Sequence, residues 1–98
     1  MELTDAQLYT IWQKALIVPG VSGDLYRKDV CGAWIRRDMY GRVGRDEPKN
    51  SCRWTVDHID PDIRDGPHLM DNLRPLQWYN NVAKGDGPLT CPIKSTEG

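Results

Sequence analysis

The chain contains no phenylalanine, no Cys-x-x-Cys pair and no apolar run near the ~20 residues that cross a bilayer. The missing run excludes a membrane-spanning helix. The opening Met1-Glu2-Leu3-Thr4-Asp5 also lacks the basic head and apolar stretch of a signal peptide, so a soluble cytoplasmic protein with no membrane partner is expected. The cysteines Cys31, Cys52 and Cys91 are odd in number and far apart. That spacing argues against a disulfide framework and a four-cysteine zinc knuckle, and reduced thiols are the expectation. A basic excess is absent too: 13 Lys and Arg against 14 Asp and Glu give a net charge of −1, which argues against a uniformly basic nucleic-acid binder. Without phenylalanine, Trp12, Trp34, Trp54 and Trp78 are expected to supply the bulk of the core.

What is present fits one small domain. At 98 residues and 39% hydrophobic, the chain buries only about two-thirds of its unfolded surface, so its stability is expected to be thin. The charge is unevenly spread. Between Arg27 and Arg53 eight bases face four acids, a surplus of +4, whereas from Asp57 to Asn72 five acids face the single Arg64, a deficit of −4. Two solvated surfaces explain such a split, and so does a phosphate-facing surface beside a cation site. Arg36, Arg37, Arg42, Arg45 and Arg53 are the candidate phosphate contacts.

Thr4-x-x-Gln7 has capping-box form, and Leu8, Ile11, Trp12, Ala15 and Leu16 follow at helical spacing, which predicts an amphipathic helix over 4–17 stopped by Pro19-Gly20. Arg27 to Arg37 reads as a strand around Gly32 or an irregular arm, and Gly41 to Ser51 as an exposed connection. Trp54-Thr55-Val56 predicts a strand with Asp57 and His58 at its end. A polar loop over 60–71 leads to Leu73-Arg74-Pro75-Leu76 as a partner strand, and Gln77 to Lys84 predicts a helix closed by Gly85. The order is ββα, within an α+β fold. The tail over 87–98 is expected to lie along the surface.

Asp57 and His58 adjoin at a strand end, where alternation aims one side chain at a cation and the other at a substrate water. A neutral imidazole serves as a base near pH 7 when a neighbouring group fixes its tautomer, and Asn72 is the candidate for that orientation. Asn72 has a structural alternative, since asparagine often fixes a turn through its own side chain. Asn81 and Lys84, three residues apart, share a helix face, giving an amide oxygen for a hard cation and an ammonium for phosphate. Carboxylate and amide oxygens favour Mg²⁺ or Mn²⁺ over zinc. His68 is read as a solvated residue.

The string Asp57-His58-Ile59-x-Pro61, Asn72-Leu73 and Asn81-x-x-Lys84-Gly85-Asp86, with thirteen residues between His58 and Asn72 and eight between Asn72 and Asn81, resembles the HNH, or ββα-metal (His-Me finger), nuclease family. The match runs from Trp54 to Asp86. It implies a ββα-metal core over about 54–86 and a metal-dependent endonuclease acting on DNA. Asp57 and Asn81 would be metal ligands, His58 the general base, and Asn72 the residue that holds the loop and orients His58. Lys84 would be a phosphate contact or a helix anchor. Asn81 stands where many members have histidine, as in the family's HNN branch, which favours Mg²⁺ over Zn²⁺. Gln77 and Asn80 occupy positions where cysteines often stand, so no structural zinc is expected. The slightly acidic net charge implies help in DNA binding from a homodimer or a separate specificity subunit. The alternative class is a non-catalytic nucleic-acid-binding or adaptor module that retains the ββα fold.

Overall fold

The computed structural model describes residues 2–95. Two helices and two small antiparallel sheets make an α+β fold: α1 (Asp5–Trp12), β1 (Tyr26–Lys28), β2 (Trp34–Arg36), β3 (Trp54–His58), a 3-10 turn (Met70–Asn72), β4 (Leu73–Gln77) and α2 (Trp78–Lys84). β1 pairs with β2 and β3 with β4. No helix among the described residues is long and apolar enough to cross a membrane.

The capping box forms as its residues predict, with Gln7 N donating to Thr4 Oγ1 and Thr4 N donating to Gln7 Oε1. The helix does not reach residue 17, however. It ends at Trp12, where the backbone tightens so that Lys14 N donates to Ile11 O and Ala15 N to Trp12 O, both at 3.0 Å, and Arg27 holds the turn beyond it by donating to Gln13 O at 3.0 Å and Ala15 O at 3.2 Å. Released from the helix, Leu16 exchanges backbone hydrogen bonds with Lys28 at 2.8 and 3.0 Å and lies exposed rather than in the core.

The core joins α1 to both sheets: Ile11, Trp12, Ala15, Ile35, Trp54 and Leu73 form one buried cluster, flanked by Leu3, Leu8, Val56, Leu69 and Met70. Of the four tryptophans only Trp12 and Trp54 belong to it, their ring centroids 5.4 Å apart, while Trp34 and Trp78 are half-buried outside it. Strand alternation accounts for Trp34, since its neighbour Ile35 takes the inward position of β2.

The stretch over 27–37 is an ordered ribbon rather than an irregular arm. Its turn is built on Asp29, whose Oδ1 accepts from Cys31 N at 2.9 Å and Ala33 N at 2.8 Å, while Gly32 supplies the positive φ of +84° that the turn requires.

The expectation of reduced thiols is corrected at one pair. Cys31 and Cys91 form a disulfide across a sequence separation of 60, with Cα atoms 5.4 Å apart, and Cys52 is free. Their distance along the chain hides a proximity created by the tail, which over 87–95 lies along the surface and is pinned there. Ile93 N donates to Asn80 Oδ1 at 2.8 Å, and Trp34 N donates to Ser95 Oγ at 2.8 Å. The last three positions of the expected surface tail, 96–98, lie outside the described residues. Closing so long a loop stabilises a fold by about 2–4 kcal/mol. Reductant, or Cys91→Ser, is therefore expected to lower the unfolding free energy from urea denaturation by that amount and so to lower the midpoint, with Cys52→Ser neutral. An unchanged midpoint in reductant would contradict a structural role for the bridge.

Candidate active site at the β3 terminus

β3 and β4 run antiparallel in the register Trp54↔Gln77, Thr55↔Leu76, Val56↔Pro75, Asp57↔Arg74 and His58↔Leu73. Alternation sends Trp54 and Val56 toward the core and Thr55 and Asp57 toward the other face, where α2 lies. Gln77 starts α2 by accepting from Tyr79 N and Asn80 N, and Gly85 ends it with a positive φ of +52°.

On the α2 side, Asp57 is 3% exposed and meets two cations. Its Oδ2 accepts from Arg74 Nε at 2.8 Å, and its Oδ1 lies 3.3 Å from Lys84 Nζ. Arg74 is there because the register puts it directly opposite Asp57. Lys84, buried at the end of α2, also donates to His58 O at 3.1 Å. Of the two readings of Lys84, the helix anchor is the one this geometry fits. One carboxylate against two cations leaves the cluster at +1, a charge that suits an anion such as phosphate.

Asn81 lies one turn before Lys84. Its Nδ2 donates to Thr55 Oγ1 at 2.7 Å and to Val56 O at 3.4 Å, and because a carbonyl only accepts, this fixes which way the amide points. Asn81 Oδ1 accepts no hydrogen bond from the described residues. Thr55 and Asp57 are two positions apart on one strand face, roughly 7 Å, so Asn81 and Asp57 share one neighbourhood.

His58 is half-buried, and neither ring nitrogen makes a hydrogen bond with the described residues. The Asn72 side chain makes no hydrogen bond to the imidazole. Its Oδ1 accepts from Asp60 N at 2.8 Å and its Nδ2 donates to Asp60 O and Ile63 O at 2.8 and 2.9 Å, so the side chain grips the polar loop. Through its own carbonyl it also accepts from Ile59 N at 2.8 Å, which steadies the backbone beside His58. It acts here as a positioning residue. His68 is exposed, 3.9 Å from Asp71.

The candidate phosphate contacts do not gather at this end. Arg53 is tied to Glu47 at 2.7 Å and to Gly41 O at 2.8 Å. Arg42 and Arg45 are exposed on the connection that leads into Trp54, at the other end of β3 from His58. Arg36 pairs with Asp38 at 2.7 Å, and Arg37 lies 4.8 Å from the Tyr9 ring centroid. Sequence reasoning missed Arg74 as a partner of Asp57, which becomes visible only once the strand register is known.

No group of three His, Cys, Asp or Glu side chains suited to a metal ion occurs among the described residues. A hard cation would therefore rest on the Asp57 carboxylate, Asn81 Oδ1, waters and substrate oxygens. That donor set fits Mg²⁺ in chemistry, with Arg74 as its competitor for Asp57. Comparison of the chain with protein-family models, curated proteins and solved structures finds no match.

Two outcomes follow from the charges. Asp57→Ala strips the buried Lys84 and the half-buried Arg74 of their partner and is expected to cost about 3–5 kcal/mol in urea denaturation, with Lys84→Met added to it restoring part of the loss. A double variant no more stable than the single one would contradict the ion-pair account. In the connection, hydrogen bonds from Ser51 and then Arg53 hold Glu47 below its ordinary 4.5. A folded value below the unfolded one favours folding above pH 4.5 and loses that contribution as pH falls through the folded value. Proteolysis over 41–51 is expected to accelerate there in the wild type, and Glu47→Gln to cleave fast at every pH.

Proposed function

We propose that the chain is a metal-dependent endonuclease of the HNH, ββα-metal type, hydrolysing phosphodiester bonds in DNA with one divalent cation, Mg²⁺ or Mn²⁺. The observation that carries this reading is the pairing at the end of β3 of an uncommitted imidazole, His58, with Asp57, which lies on the face that also presents the unengaged Asn81 Oδ1.

His58 accepts a proton from water as the water oxygen attacks phosphorus and the bond to the leaving 3′-oxygen breaks. Asp57 and Asn81 are the residues that would hold the cation, and when bound it stabilises the charge gathering on the phosphate and the leaving oxygen. Arg74, with 19% of its side chain exposed, reaches solvent and is placed to meet a phosphate oxygen as it leaves Asp57. Lys84 keeps α2 on β3, and Asn72 keeps the loop beside the base in one shape.

One observation favours the alternative of a non-catalytic nucleic-acid-binding module: both Asp57 oxygens already face cations. Plasmid nicking separates the two. His58 is a clean target because its ring has no hydrogen bond to lose among the described residues. His58→Ala is expected to lower the Mg²⁺- or Mn²⁺-dependent nicking rate by about 10²–10⁴-fold with its circular dichroism unchanged. Intact plasmid with the wild type across Mg²⁺, Mn²⁺ and a range of pH would favour the binding module, and equal cutting by both proteins would remove His58 from the chemistry.

A further inference from the structure

The Cys31–Cys91 bridge ties the turn between β1 and β2 to a segment that supplies nothing to the core. Over 88–95 the tail contains no helix or strand, and none of its residues is buried. Neither cysteine belongs to the cluster around Trp12 and Trp54. Besides the bridge, four hydrogen bonds among the described residues hold this segment. Ile93 N donates to Asn80 Oδ1 at 2.8 Å, and Asn80 Nδ2 donates to Ile93 O at 2.9 Å. Trp34 N donates to Ser95 Oγ at 2.8 Å, and Ser95 N donates to Gly32 O at 3.0 Å.

Cys91 sits in a backbone conformation that it does not favour by itself. Its φ is +54°, in the left-handed region that crowds a Cβ, and the Pro92 that follows biases the residue before it toward extended backbone. Strain of this kind collects at switch regions, and disulfides that are strained or reachable are the labile ones. Cys31 and Cys91 are half-buried rather than enclosed. Once the bridge is cut, four hydrogen bonds must order eight residues, 88–95. Each of those bonds replaces one to water and nets little, whereas ordering costs every residue entropy, so release is the favoured outcome. The free thiol of Cys52 is a poor competitor for the pair, because burial pushes it up and keeps it protonated.

We propose that the Cys31–Cys91 bridge is a reversible redox latch, which a dithiol reductant opens in the folded protein to free the tail over 88–95 from Asn80 and from the β1–β2 turn. A thiolate of the reductant attacks one sulfur of the bridge. The S–S bond breaks, a mixed disulfide forms, and the other sulfur leaves as a thiolate that takes up a proton. The second thiol of the reductant, once deprotonated, displaces the remaining cysteine. The reductant ends as a disulfide and Cys31 and Cys91 as thiols, two electrons and two protons having passed. Opening gives water the side of the Asn80 amide that Ile93 occupies, while Asn80 keeps its bond to Asp29 Oδ2. The latch does not depend on the nuclease reading.

The test uses the full wild-type chain without denaturant, equilibrated in mixtures of reduced and oxidised dithiothreitol. Iodoacetamide labelling reports the thiols, hydrogen exchange read by NMR reports single amides, and near-ultraviolet circular dichroism reports the tryptophan packing. As the reduced fraction rises, Cys31 and Cys91 are expected to become labelled together. In step with them, the Ile93 and Ser95 amides are expected to exchange within about tenfold of the rate of an unstructured peptide, while amides of β3 and β4 stay at least about a hundredfold slower than that rate. Oxidised dithiothreitol restores the starting state. The double variant Cys31→Ser, Cys91→Ser is expected to show the open tail at every ratio. Three results would each overturn the proposal: labelling of Cys31 and Cys91 only after urea is added, Ile93 and Ser95 amides that stay protected in the reduced chain, or loss of the tryptophan signal on reduction. The last would make the bridge a staple of the whole fold. These readings need only the wild type, so they hold even if the double variant fails to fold.

Discussion

The carboxylate of Asp29 is wholly buried and has four N–H donors around it. Its Oδ1 binds Cys31 N and Ala33 N and so shapes the β1–β2 turn, while its Oδ2 binds Gln77 N at 2.9 Å and Asn80 Nδ2 at 3.1 Å at the junction of β4 and α2. A carboxylate taken from water without donors would be strongly destabilising, so the turn and the junction must meet in one arrangement to satisfy it. The start of α2 is fixed by that meeting. Asn80 then carries the connection onward to Ile93, next to the Cys31–Cys91 bridge, so the tail closes over the same point. Asn81 and Lys84 inherit their positions against β3 from this anchor.

The interior is polar for so small a protein. Among the described residues, eight buried hydrophobic side chains and Pro75 accompany seven buried polar ones: Arg27, Asp29, Asp57, Asn72, Gln77, Asn80 and Lys84. With so little apolar volume the fold depends on satisfied polar networks, which specify one arrangement when complete and fail when broken. Arg27 holds the turn that follows α1, Asn72 shapes the loop, and Gln77 holds the connection through Lys49 O and Ser51 O while capping α2. Lys84 and Arg74 hold Asp57. A site built on such a frame is preorganised, because Asp57, Asn72, Asn81 and Lys84 are each held by hydrogen bonds or ion pairs to neighbouring elements.

What the sequence made readable was local. The Thr4 and Gln7 box, the β3 and β4 runs, the helix closed by Gly85 and the placement of Asp57 at a strand end all follow from residues within a few positions of one another, and the structure contains each of these elements. What it hid was long-range. The turn after α1 is held by Arg27, the partner of Asp57 is set by strand register, and the pairing of Cys31 by a segment 60 residues away. Trp34 was assigned to the core because composition cannot tell an inward strand position from an outward one. Asn72 illustrates both sides: its hold on the loop was readable from turn chemistry, whereas the imidazole it was expected to orient lies beyond its hydrogen bonds.

The account rests on Asp57 and Asn81 sharing one hard cation while the His58 ring stays free beside it. A crystal structure with Mn²⁺, read by anomalous scattering, addresses that claim most directly. The account predicts one strong peak bonded to a carboxylate oxygen of Asp57 and to Asn81 Oδ1, with Arg74 moved off Asp57 and no bond to His58. A map with no peak there, and with Asp57 still held by Arg74 and Lys84, would contradict it.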